Sequence, residues 1–274
     1  MEKLEMQEVQ KAALEILKEV AAICEEQNLR YYLIYGTLIG AIRHKGFIPW
    51  DDDLDIMMPR EDYIKILDYF ATHKEEHKHL EVFNPDTCKD YPYMITRISD
   101  NRYRIETDNE KDCGMGVFID IYPYDGLGKT WEEAVQFGMK GDRISSFCFL
   151  ATREHYKWDQ LNTFVKNILR VPLFYVSKIL GKNYFQKKLS ALAGVKSYDG
   201  SEYIGCVVWL SGGERDMFKR EWFDEYIEVP FEDASFRVPK EYDLVLRQTY
   251  GDYMKLPPEE ERIGHHYYSV YRNE

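Results

Sequence analysis

Apolar residues recur at three- and four-residue intervals from Leu4 through Val9, Ala13, Ile16, Leu17, Val20 and Ile23, which predicts an amphipathic helix over residues 4–28. A strand over 31–35 follows and ends at Gly36-Thr37. From there a short helix runs toward Arg43, with Thr37 placed to cap its start. Pro59-Arg60-Glu61-Asp62-Tyr63 opens another amphipathic helix reaching Phe70. Between 80 and 122 the pattern turns extended, with strands predicted over 80–83, 93–98, 103–106 and 117–122. Asp100-Asn101 and Cys113-Gly-Met-Gly116 mark the turns between them. Residues 130–190 read as helical, and one more helix is predicted near 240–250. Helices that alternate with strands, the strands later running consecutively, predict an α+β fold with a mixed β-sheet flanked by helices.

One run breaks the pattern of alternation. In Trp50-Asp-Asp-Asp-Leu-Asp-Ile56 four carboxylates fall within five positions, and the last two are interleaved with apolar residues. Residues two apart on a strand share a face, so Asp53 and Asp55 project together while Leu54 and Ile56 point to the core. Converging carboxylates repel unless a cation sits between them, and Mg²⁺ or Mn²⁺ is the hard cation that phosphoryl chemistry uses. A solvated acidic loop or a set of helix caps is the alternative, and it fits Asp51 and Asp52 better than the later pair. Asp120 is the sole acid of Val117-Phe-Ile-Asp-Ile-Tyr122. Burial of such a group demands either a metal or an ion pair with lysine or arginine. Asp125, in Tyr124-Asp-Gly126, reads as a turn residue. Gly36-Thr37, at a strand-to-helix junction, offers a close backbone approach and free N–H groups to an oxyanion.

Arg43, His44 and Lys45 form a basic cluster near the acids, placed either to meet a donor phosphate or to solvate a helix surface. Arg97, among the apolar residues of Met94-Ile-Thr-Arg-Ile98, reaches either a diphosphate or a buried acid. His73, His77 and His79 have ligand-like spacing, but the intervening Lys-Glu-Glu reads as an exposed helix end rather than a zinc site.

The net charge of −12 argues against a nucleic-acid surface, and 45% hydrophobic residues describe a folded chain. Five scattered cysteines without CxxC spacing fit a reducing cytosol, and no apolar run of about 18 residues predicts a membrane span. Against that acidic background, residues 161–190 hold Lys166, Arg170, Lys178, Lys182, Lys187 and Lys188 and no acid. Such a basic amphipathic segment suits peripheral contact with a membrane or an anionic acceptor. The plainer reading is a packed helical insert with lysines on its wet side.

The stretch Tyr35-Gly-Thr-Leu-Ile-Gly-Ala-Ile-Arg-His-Lys-Gly-Phe-Ile-Pro-Trp-Asp-Asp-Asp-Leu-Asp-Ile56, with Phe118-Ile-Asp-Ile-Tyr-Pro123 and Tyr250-Gly-Asp-Tyr-Met-Lys-Leu-Pro-Pro258, resembles the LicD family. That family includes bacterial phosphocholine transferases and fukutin-related proteins and has a nucleotidyltransferase fold. The resemblance implies a single domain over 1–274 with a helical insert at 130–200. It also implies transfer of a substituted phosphate from a CDP-linked donor to a hydroxyl of a cell-surface glycan, teichoic acid or lipopolysaccharide precursor, with loss of CMP. Asp53, Asp55 and Asp120 would hold Mg²⁺ and serve catalysis. Gly36, Thr37, Arg43, His44, Lys45, Trp50, Arg97 and Tyr122 would line the substrates, with Trp50, Tyr122 and Tyr124 offering faces to a choline-like cation. His265-His266 belongs to the family-like C-terminal part, with no assigned role. A nucleotidyl transfer releasing pyrophosphate, or nucleotide binding without turnover, are the alternatives. The expected location is the cytoplasm, with contact at the inner membrane face.

Overall fold

The computed structural model describes residues 2–158, 164–210, 212–264 and 268–273, and within the helix at 164–180 it describes the side chains of 168 and 170–180. His265 and His266 lie outside the described residues. After a two-residue strand β1 (Glu2–Lys3), the predicted first helix forms as α1 (Met6–Glu26), burying Val9, Ala13, Ile16, Leu17, Val20 and Ile23 as one stripe. At its start Glu8 accepts the Glu5 N–H at 3.1 Å.

The chain continues through β2 (Tyr32–Leu33) and α2 (Tyr35–Ile39), which widens into a π-turn at Gly40–His44. Next come β3 (Asp55–Pro59), α3 (Arg60–Thr72), β4 (Leu80–Phe83), β5 (Thr96–Asp100), β6 (Tyr103–Thr107) and β7 (Val117–Gly128). The principal sheet has the order β2-β3-β7-β5-β4, with β3 and β7 parallel and the other neighbours antiparallel. Every residue of β3 and β7 is buried, as central strands covered on both faces require.

Three consecutive helices follow, α4 (Trp131–Thr152), α5 (Phe164–Leu180) and α6 (Lys182–Ser190). Beyond them lie β8 (Tyr203–Gly205), β9 (Phe218–Lys219), the hairpin β10 (Tyr226–Phe231) with β11 (Ala234–Pro239), α7 (Tyr242–Tyr250) and β12 (Tyr268–Arg272). β8 pairs with the far half of β7, and β12 lies between β1 and β6. The architecture is α+β with a mixed sheet, as the pattern predicted. Among the described residues no helix is long and apolar enough to cross a membrane.

Several local readings change. Thr37 does not cap a helix, because α2 starts two residues earlier behind Ile34. Its hydroxyl instead accepts the Asp55 N–H at 2.7 Å. Asp53 belongs to the irregular lead-in to β3 rather than to the strand itself. Asp125 is no turn residue. It sits inside β7, fully buried, where Arg60 donates Nε to Oδ1 at 2.8 Å and Nη2 to Oδ2 at 2.7 Å. That two-pronged pair offsets the desolvation of both ions and lets the strand run on to Gly128.

The segment that follows the end of α3 at Thr72 is exposed at Lys74, Glu75, Glu76 and Lys78, as expected, while the three histidines among them are half-buried. His73 stacks on Tyr69, while His77 and His79 both bond the Glu19 carboxylate of α1.

Candidate active site

The register of the parallel pair decides the site. Asp55 of β3 lies directly opposite Asp120 of β7, and Asp120 in turn lies opposite Arg97 of β5. In-register residues on neighbouring strands share a face, so an acid–acid–arginine row crosses three strands. Arg97 Nε donates to Asp120 Oδ1 at 2.8 Å. Its guanidinium lies over Phe118 at 3.9 Å and over Tyr93 at 4.3 Å. Burial alone would lower the Arg97 pKa, but the Asp120 carboxylate overrides it and holds the guanidinium well above its ordinary value. Of the two readings of Arg97, the structure shows the buried ion pair.

The opposite sheet face belongs to α3, whose Tyr63 hydroxyl lies 2.6 Å from that of Thr96. Thr96 pairs with Ile121 on β7, one residue out of phase with Asp120. This alternation confines the acids to the face away from α3. Asp55 and Asp120 are each 5% exposed, whereas Asp51, Asp52 and Asp53 are half-buried around them.

Gly36 permits one of these approaches. A Cβ built there would lie 2.8 Å from Asp51 Oδ2, so the glycine admits a carboxylate of the chain itself beside the backbone of α2. Gly36, Thr37, Gly40, Asp51, Asp53 and Phe231 line one narrow cleft. The residue before the glycine, Tyr35, takes a left-handed φ of 52°, which costs a side-chain-bearing residue roughly 1–2 kcal/mol. It is held there by an edge-on contact with Tyr122, at 5.0 Å between ring centroids, and by a 3.0 Å hydroxyl contact with Tyr124.

Phenols surround the acid row and report its charge. Burial, and then the carboxylates of Asp55, Asp120 and Asp53, push the Tyr122 phenol well above its usual range. Burial followed by Asp52 and Asp53 does the same to Tyr268 of β12. Tyr250, at the end of α7, is 44% exposed. Its phenol is raised by partial burial and then by Asp55, Asp216, Asp51 and Asp53.

Tyr35, Tyr250, Tyr268 and Asp216 were not singled out individually in the sequence. The first two sit inside recognised stretches. Asp216, whose Oδ2 accepts the Gly212 N–H at 2.6 Å, lies in a polar run that carries no periodic signal.

The basic cluster divides. Arg43 donates Nη1 to the Tyr253 carbonyl at 2.6 Å and Nε to His44 Nε2 at 3.0 Å, tying the π-turn to the segment after α7. Burial, and then Arg43, lower the His44 pKa below 6.5, so the neutral ring accepts on Nε2. His44 meets Trp50 edge-on at 6.4 Å, and Arg262 lies 5.8 Å over the Trp50 ring. Lys45 is exposed at a left-handed corner with φ 58°, its carbonyl accepting from Glu232 N–H. Among the described residues, no three His, Cys, Asp or Glu side chains converge as a preformed metal cage.

A family model described as LicD/FKTN/FKRP, nucleotidyltransferase domain, matches residues 28–165, which contain the entire acid row. The chain is 35% identical over 272 residues to the lipopolysaccharide cholinephosphotransferase LicD of Haemophilus influenzae, covering 99% of each. It is 40% identical over 52 residues to the ribitol 5-phosphate transferase FKRP of Homo sapiens, which is 19% of this chain and 10% of that protein. Similarity to the uncharacterized protein RT0683 of Rickettsia typhi is 31% over 116 residues, 40% of this chain and 33% of that one. With one relative matched from end to end and a family model spanning the acid row, the chain belongs to the LicD family of phosphotransferases.

Proposed function

We propose that the protein transfers a substituted phosphate, phosphocholine in the first instance, from a CDP-linked donor to a hydroxyl of a cell-surface glycan of the lipopolysaccharide or teichoic acid kind. The mixed sheet is read as nucleotidyltransferase-like, and the place of action as the cytoplasm. What carries this reading is the in-register pair Asp55 and Asp120, within a chain that matches a lipopolysaccharide cholinephosphotransferase along its length.

Two buried carboxylates side by side suit Mg²⁺, which characteristically takes one or two carboxylates and completes its shell with phosphate oxygens and water. A cage of three protein ligands is not needed for that mode, so the donor set fits, with Mn²⁺ as a substitute. Asp55 and Asp120 would hold the ion, with Asp53 beside them, and the ion supplies charge neutralisation to the diphosphate. Arg97 fixes Asp120 in place. Thr37 fixes the backbone of Asp55 through its hydroxyl. Gly36, Arg43, His44, Lys45 and Trp50 form the candidate donor side, and Tyr122 with Tyr250 the aromatic walls for a quaternary ammonium. The acceptor oxygen bonds to the phosphorus carrying the head group, the P–O bond to CMP breaks, and the hydroxyl proton passes to a carboxylate of the acidic cluster that the ion does not engage. Positioning and charge neutralisation supply most of the acceleration.

The test is a screen of CDP-choline and CDP-ribitol with Mg²⁺ and glycan acceptors, followed by mass spectrometry. CMP release that falls at least about a thousandfold in Asp55→Asn is expected. Pyrophosphate release from a nucleoside triphosphate, with no turnover of any CDP-linked donor, overturns the reading.

A further inference from the structure

Helix α5 presents the wrong side to water. Its packed side holds Phe174 at 5% exposure and Ser177 at 0%, while Ile168, Leu173, Tyr175, Val176, Ile179 and Leu180 are exposed. Ile179 reaches 84% exposure. At 100° per residue these side chains occupy one continuous face, and Pro172, also exposed, lies within it. Surface helices normally turn charged residues outward, so an outward face that is apolar among its described residues marks a surface that something covers.

The charges around that face select the occupant. Lys187 and Lys188 of α6 are exposed, while Lys178 donates to the Ala151 and Arg153 carbonyls and Lys182 to those of Lys89 and Tyr91, and no Asp or Glu occurs between Leu161 and Ser190 in a chain of net charge −12. A second copy docking by the same face would bring these cations against their own counterparts, as twofold symmetry dictates. An anionic lipid surface offers the complementary arrangement, with acyl chains for the apolar face and headgroups for the lysines. Tyr175 and Tyr184, 60% and 44% exposed, supply the amphipathic rings favoured at that boundary. The helix has 17 residues and does not qualify as a span, so it would lie in the interface plane.

We infer that α5, flanked by the cations of α6, is a peripheral docking helix for an anionic membrane. The inference goes beyond the transfer reaction and deepens it, since it rests on that reading only in placing the enzyme beside a lipid-anchored acceptor.

Flotation of the full chain with vesicles of phosphatidylethanolamine and phosphatidylglycerol, against phosphatidylcholine alone, tests it. Wild type is expected to float with the anionic vesicles only. Val176→Ser/Ile179→Ser/Leu180→Ser should lower partitioning by roughly a hundredfold. Lys187→Glu/Lys188→Glu should lower it at least about tenfold at low salt. Circular dichroism checks that both variants fold. The inference is overturned if wild type stays in the soluble fraction, if the triple-serine variant floats equally, or if wild type is a dimer that this variant makes monomeric. CMP release with a soluble glycan acceptor, read in parallel, should be equal in wild type and triple variant. Flotation without CMP release sinks the transferase reading and leaves docking standing; CMP release without flotation does the reverse.

Discussion

Replacing Arg97 by leucine removes the cation from an ion pair whose partners are 12% and 7% exposed, leaving the Asp120 carboxylate buried without its counter-charge. Breaking such a pair from one side costs roughly 3–5 kcal/mol, because the desolvation already incurred by the remaining ion is no longer offset. Unfolding entropy of about 2.1 cal/mol/K per residue gives about 0.58 kcal/mol/K for 274 residues, so Tm should fall by about 5–9 °C. Calorimetric melts of wild type, Arg97→Leu, Asp120→Asn and the double variant measure this. The two residues share one contact, so the double variant should lose less than the sum of the singles, by about 2 kcal/mol or more. Mg²⁺ should raise the Tm of Arg97→Leu more than that of wild type, since a bound cation substitutes for the missing guanidinium. A single-variant Tm within about 1 °C of wild type, together with strict additivity in the double, would refute the argument that this pair fixes the floor of the site.

Four further outcomes follow from the structure. Thr37→Val keeps the volume but removes the acceptor of the Asp55 N–H, so stability should drop by about 1–3 kcal/mol in denaturant melts, with kcat falling alongside it. Gly40→Ala would place a Cβ 2.5 Å from the Gly46 carbonyl, a backbone atom that yields poorly, and should cost about 1–3 kcal/mol. Gly36→Ala meets only the end of the Asp51 side chain at 2.8 Å, so it should melt well above Gly40→Ala while lowering CMP release. Burial raises the phenols of Tyr35, Tyr91, Tyr122, Tyr124, Tyr198 and Tyr268 well above 10.0 in the folded chain. Their contribution to stability is therefore complete below pH 10 and is lost as pH rises above it, because the unfolded chain releases those protons first. Phenolate absorbance from this set should grow together with the loss of circular dichroism. Ionisation of these six with the fold intact would contradict their burial.

The local chemistry of the chain was legible from its residues because it depends on neighbours in sequence. The periodicity of α1, the entry to α3 behind Pro59, and β4 at Leu80–Phe83 needed nothing from the rest of the molecule. The acids at Asp53, Asp55 and Asp120 stood out because they interrupt apolar runs, and the LicD resemblance followed from the same stretches. Where sequence rules failed, a distant partner had intervened. Asp125 reads as a turn until Arg60 reaches it, and Thr37 reads as a cap until the Asp55 amide claims its hydroxyl.

The sequence by itself determined which residue types are present, the period of each element and the acid-free character of 161–190. Only the tertiary structure decided that Asp55 and Asp120 stand in register, that Arg97 closes the row, and that α5 turns its apolar face outward. Strand register and helix orientation are set by contacts between segments far apart in the chain, and a periodic pattern says how a face is composed without saying what it meets.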